Sequence, residues 1–136
     1  MGNPLGDVNA QIQAFIVAYN SGKVRDIFAS GEISILDDFP PYVWIGADAL
    51  HRWGADSAKR AAAKKLADFK LTLGVINRLE TQDNAAYVIV DADYTFSQDG
   101  KAVSEPGQVI LGMIYGAGAW KINALTWSGA VRKPAN

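Results

Sequence analysis

Ile33-Ser34-Ile35-Leu36-Asp37-Asp38-Phe39-Pro40-Pro41-Tyr42-Val43-Trp44 places two carboxylates at the end of an apolar strand, then two prolines and three aromatic rings. Strand alternation sets Ile33, Ile35 and Asp37 on one face and Ser34, Leu36 and Asp38 on the other. A face with two isoleucines turns toward a core, so Asp37 is carried inward while Asp38 is expected in solvent. A carboxylate among apolar and aromatic groups loses hydration, and its charged form becomes costly. Such an acid serves as a base near neutral pH, or as a hydrogen-bond donor when it keeps its proton. The stretch predicts a small aromatic-walled pocket with one tuned acid.

Outward from this strand the pattern changes period. Val8, Ile12, Phe15, Ile16 and Tyr19 recur at helical spacing, with Asp7 as expected N-cap and Asn20-Ser21-Gly22 as the stop. Val24 to Phe28 reads as a short second helix closed by Ser30-Gly31. Gly46 opens a third helix over about 48–67, with Leu50, Trp53, Gly54, Ser57 and Ala61 as its buried stripe and Arg52, Asp56 and Lys59 outside it. Four strands follow, over 69–79, 86–96, 103–115 and 120–128. Asp99-Gly100 is the strongest hairpin signal, because such a turn needs positive φ angles. Pro106-Gly107 marks a bulge or sheet edge, since proline donates no ladder bond.

Composition bounds the class. A chain of 136 residues that is 49% hydrophobic fits one compact domain over 1–136. A net charge of −1 gives no pull toward nucleic acid or anionic lipid, and no apolar run reaches the roughly 18 residues of a membrane span. With no cysteine, disulfides and thiolate chemistry are excluded. The N-terminus lacks the basic and apolar regions of a signal peptide, while Met1-Gly2 is compatible with a removed leader, so the compartment is left open.

Helices ahead of a strand meander must cover one of its faces, which predicts an α+β cone: a curved, mainly antiparallel sheet wrapped around a layer of three helices, with a pocket at its wide end. This order resembles the NTF2-like superfamily, in its SnoaL-like and ketosteroid-isomerase-like branch, over about residues 8–129. The carriers are Phe15-Ile16-Val17-Ala18-Tyr19-Asn20-Ser21-Gly22, Ile35-Leu36-Asp37, Gly46-Ala47-Asp48-Ala49-Leu50 and Trp120-Lys121-Ile122. The superfamily holds isomerases, dehydratases, cyclases, epoxide hydrolases and binding domains, so fold alone names no reaction. The resemblance implies a homodimer and puts Asp37 at the position of the general base. It also shows departures. Phe15 stands where the isomerases carry an oxyanion-hole tyrosine, and an apolar residue near Ile110 stands where they carry a second, protonated acid. Steroid isomerisation is therefore disfavoured, since that stabilisation is a large part of catalysis. Scytalone-dehydratase-like chemistry relies on two histidines and this chain has only His51. The Asp-Arg-Asp set of limonene-epoxide-hydrolase-like enzymes is not found, whereas a SnoaL-like cyclase asks only for an acid/base aspartate in an apolar pocket.

Asp37 is the candidate catalytic residue, and Phe15, Tyr19, Tyr42, Trp44, Trp53, Tyr94 and Trp127 are the candidate ligand-binding walls. Each has a structural alternative. Asp37 and Asp38 would also suit the start of a turn, Tyr19 a core position, and Tyr42 and Trp44 a structural lid. His51 flanks the buried stripe of the third helix. Lys59, Arg60, Lys64, Lys65 and Lys70 read as a solvated surface. No metal or cofactor is expected, because neither clustered ligand spacing nor a phosphate-binding glycine loop is present. The function expected is binding of a small apolar or aromatic molecule, with acid/base lyase, isomerase or cyclase chemistry at Asp37. The alternative is a non-catalytic ligand-sequestering or protein-interaction domain.

Overall fold

The computed structural model describes residues 4–129 and 133–134, with side chains over 8–129. Helix α1 spans Pro4–Asn20 and buries Val8, Ile12 and Phe15, one apolar stripe at spacings of four and three. It begins ahead of the expected cap, so Asp7 lies inside it; proline suits a first helical position because the amide it lacks would have no partner there. Its end is a Schellman motif: Gly22 takes φ 75°, its N–H donates to the Tyr19 carbonyl and that of Lys23 to the Ala18 carbonyl. The Asn20 amide then pairs with both backbone groups of Leu71, at 2.9 and 3.0 Å. This fixes the last turn of α1, and with it Tyr19, against the sheet. The expected second helix is one 3-10 turn, Val24–Ile27.

The sheet is mixed, curved and unclosed. Its strands are β1 (Ile33–Leu36), β2 (Val43–Gly46), β3 (Leu66–Gln82), β4 (Ala85–Gln98), β5 (Lys101–Gly116), β6 (Ala119–Gly129) and β7 (Lys133–Pro134). The order is β2-β1-β6-β5-β4-β3, with β7 on β5; among the described strands only the β1–β6 pairing is parallel. The α+β cone is thus the observed architecture, its helix layer being two α-helices and the 3-10 turn among the described residues.

Four local readings are corrected. The 39–44 segment is half of a β1–β2 hairpin: Asp37 N–H donates to the Tyr42 carbonyl and Tyr42 N–H to that of Phe39, so the chain reverses at once. Trp44 therefore pairs with Ile35 in the sheet and is fully buried. Gly46 ends β2 instead of opening a helix, and α2 runs Ala49–Lys64. Lys65 stops α2 in a left-handed conformation (φ 54°), a stop no glycine announces, so β3 begins at Leu66 inside the span read as helix. Asp56, read as outside the buried stripe of this helix, accepts a hydrogen bond from the Trp44 indole at 2.8 Å and ties α2 to β2.

Both remaining hairpin turns with glycine carry positive φ at each central residue, Asp99-Gly100 and Ala117-Gly118, as the handedness of a two-residue connection requires. Pro106 sits where β5 loses its β6 neighbour, the last pair being Gly107 opposite Gly129. There the backbones approach so closely that a Cβ on Gly107 would stand 2.3 Å from the Ser128 carbonyl oxygen. Most of the buried apolar side chains form one cluster between the helices and the sheet. Among the described residues, no helix is long and apolar enough to cross a membrane.

Candidate active site

β1 ends at Leu36, so strict alternation stops before Asp38, which is exposed yet still borders the site. Asp37 and Asp38 both enter a cavity of about 370 Å³ between α1, α2 and the sheet. Its aromatic wall comes from Phe15, Tyr19, Phe39, Trp53, Phe69, Tyr94 and Trp127. The rings form a continuous chain, with centroids 6.0 Å apart for Phe15–Tyr19, 6.5 Å for Tyr19–Trp53, 6.4 Å for Tyr19–Tyr94 and 6.0 Å for Tyr94–Trp127. The contacts are tilted or edge-on, at centroid separations where aromatic quadrupoles attract.

Of the residues proposed from sequence, Asp37, Phe15, Tyr19, Trp53, Tyr94 and Trp127 line this cavity. Tyr42 and Trp44 do not. The hairpin points Trp44 into the core, and Tyr42 stands about half exposed at the loop. Phe39 is the ring of that segment that reaches the cavity, and it packs on Trp44 at 5.2 Å. His51 is exposed, beside a separate depression. Among the described residues no group of three or more histidine and acidic side chains is placed to hold a metal ion.

Two carboxyl groups are tuned here. Asp37 accepts from the Trp53 indole at 2.9 Å and from the Asp38 amide at 2.8 Å. Burial nonetheless dominates and raises its pKa from 3.8 to about 6, with Asp38 adding repulsion. Glu105 is the second. It is only 1% exposed, accepts from the Trp127 indole at 2.9 Å, and is pushed from 4.5 up to about 7, first by desolvation and then by its contact with Asp38. Asp38 thus stands within hydrogen-bonding reach of both while remaining exposed, as expected, at the edge of the cavity. Tyr94, directly across the strand pair from Glu105, hydrogen-bonds to the Tyr19 hydroxyl; burial raises both phenols.

An apolar residue near Ile110 stands where the resemblance puts a second acid, but Glu105 brings one to the cavity from elsewhere on β5. A parity signal for it exists: Glu105 shares alternation with Val109, Leu111 and Met113, all inward-facing. Its neighbours Ser104 and Pro106 disguise it as an exposed strand end. Gly129 makes room for it, because a Cβ there would lie 2.4 Å from the Glu105 carboxylate and 2.6 Å from the Trp127 indole nitrogen. Arg60 is also corrected from surface to cavity wall; it follows Trp53 and Ser57 at spacings of four and three along one face of α2.

No family model matches the sequence, and no curated protein matches it. Solved structures do match its fold. A LinA-type3 hexachlorocyclohexane dehydrochlorinase from Novosphingobium barchaimii superposes with TM-score 0.74 at 12% identity, over 96% of this chain and 88% of that one. A proposed scytalone dehydratase from Novosphingobium aromaticivorans gives 0.73 at 9% identity, over 97% and 87%. A ketosteroid isomerase-like protein from Erwinia carotovora atroseptica gives 0.72 at 16% identity, over 96% and 99%. The fold is the NTF2-like cone.

Because the folded-state pKa of Asp37 is raised, its ionised form opposes folding. Stability from this group is full below about pH 4, is lost as pH rises toward about 6, and stays lost above. A shift of this size corresponds to about 3 kcal/mol at most. Asp37→Asn removes the charge and gives up one of two accepted hydrogen bonds, worth about 1 kcal/mol. The variant is expected to be about 1–2 kcal/mol more stable than wild type at pH 7, with the gap closing toward pH 4 in urea titrations. A variant less stable at pH 7, with an unchanged pH profile, would make Asp37 a structural acceptor instead.

Proposed function

We propose that the protein binds a small apolar or aromatic molecule in this cavity and moves a proton on it, with Asp37 as general base and Glu105 as the neutral partner acid. The observation that carries the reading is the pair of carboxyls, Asp37 and Glu105, facing one aromatic-walled space, both raised toward neutrality by desolvation. The lower one, at about 6, is mostly ionised at pH 7 and suited to accept a proton; the higher, at about 7, still holds its proton half the time and can donate. The cavity volume falls in the range of small-molecule sites. The neighbours' names point the same way: a dehydrochlorinase, a dehydratase and an isomerase-like protein carry the names of reactions in which hydrogen leaves carbon. Phe15 contributes no donor, so an oxyanion draws on other groups of the wall, Glu105 and the Tyr94–Tyr19 pair among them. Lyase or isomerase chemistry on a compact substrate is accordingly favoured over a purely sequestering role, which would not need a second tuned acid.

The test is proton exchange on a generic carbon acid. With 2-tetralone in deuterated buffer, the protein is expected to speed loss of the C1 proton signals, and Asp37→Asn to slow the catalysed rate by about 100-fold or more. The rate should peak between the two pKa values, near pH 6 to 7, and Glu105→Gln, which keeps a donor at all pH values, should remove the alkaline limb. Equal exchange by wild type and Asp37→Asn would contradict the assignment.

We also propose that the protein is a homodimer through the sheet face turned away from the helices. Tyr87 and Ile114 are exposed there, and Gly112, beside Tyr87, keeps that face flat. Sedimentation should give a dimer mass, and Ile114→Glu should shift it to a monomer with the melt little changed. A wild-type monomer at 100 µM (about the upper range for such an association) would refute the dimer.

A further inference from the structure

The guanidinium of Arg60 lines the cavity, yet its Nε and Nη2 atoms are shielded from solvent and have no hydrogen-bond acceptor. A charged donor removed from water without acceptors is costly. The natural partner one turn earlier on the same helix face is Asp56, but Asp56 is engaged by the Trp44 indole. Arg60 lies instead over the Phe39 ring, 5.1 Å from its centroid. A ring face compensates the charge but accepts no in-plane N–H bond. The deficit is therefore built into the cavity wall, beside the space a ligand would occupy.

We propose that Arg60 is the specificity-determining residue of the cavity and recognises a neutral carbonyl oxygen on an otherwise apolar ligand. The proposal rests on reading the cavity as a small-molecule site, and it narrows the ligand class to ketones, esters or quinone-like compounds with an aromatic or alicyclic body. An anionic ligand is disfavoured, because Asp37, Asp38 and Glu105 line the same cavity. A hydrocarbon would leave the guanidinium as unsatisfied as before. Only a polarised neutral acceptor satisfies the donor without adding charge beside three carboxyl groups.

Three probes of one shape separate these cases: 2-acetylnaphthalene, 2-ethylnaphthalene and 2-naphthoate, titrated by calorimetry against wild type, Arg60→Met and Arg60→Lys. Wild type is expected to bind the ketone about tenfold more tightly than the ethyl compound, and the carboxylate least. Arg60→Met keeps the apolar stem over Phe39, so it should bind the ethyl compound as wild type does and lose the preference for the ketone. Arg60→Lys keeps the charge without the planar fork and should retain only part of that preference; it also serves if the methionine variant does not fold. A wild type that binds ketone and ethyl compound alike, a preference that survives in Arg60→Met, or carboxylate as the tightest ligand would each overturn the role of Arg60 while leaving the small-molecule reading standing. Failure to bind any of the three would overturn both.

Discussion

The hydrogen bond from the Trp53 indole to the Asp37 carboxylate joins helix α2 to the end of β1, and the site is arranged around it. Its chemistry matters as much as its position. An indole N–H satisfies a buried oxygen but brings no positive charge, so it offsets only part of the desolvation and leaves the acid at about 6. An arginine in the same place would favour the ionised form and hold the pKa below its usual value. Glu105 meets the same kind of donor in Trp127, and Asp56 does in Trp44. Three tryptophans thus spend their only polar atom on three carboxyl groups, and two of those groups face the cavity.

Holding these acids in place requires the rest of the fold. The Asn20 clasp on Leu71 and the Schellman end of α1 fix Tyr19 beside Trp53. The close approach of β5 and β6 at Gly107 and Gly129 lets Trp127 reach Glu105 across the strand ends. The fold accepts a destabilising term at Asp37 in the folded state at neutral pH, as is common where an acid must remain reactive. Arg60 adds a second such term, an under-partnered cation against Phe39.

Much of this was legible in the sequence, and the reasons for the gaps are physical. Helical spacing from Val8 to Tyr19 and the Asp99-Gly100 turn are strong local signals, and each element they mark is present. Asp37 was legible because Ile33 and Ile35 set the face it shares. Trp44 was misplaced because the 39–42 turn reverses the chain, and no local pattern tells a reversal from a lid. Glu105 was missed because a charged residue beside a proline reads as exposed, although its parity with Val109 and Leu111 says otherwise. Arg60 was absorbed into a run of lysines that are exposed, while its own spacing from Trp53 and Ser57 placed it on the inner face. Polar residues that point inward are the hardest to see from sequence, since periodicity is read from apolar residues alone.

The central claim is that neutral indole donors hold two buried carboxyl groups near neutrality in one cavity. Carbon-detected NMR titration of the Asp37 and Glu105 carboxyl signals, in wild type and in Trp53→Phe, tests it most directly. The account predicts midpoints of about 6 and about 7 in wild type, and a further rise at Asp37 when the indole that favours its ionised form is removed. Midpoints near 4 for both groups, unmoved by Trp53→Phe, would contradict it.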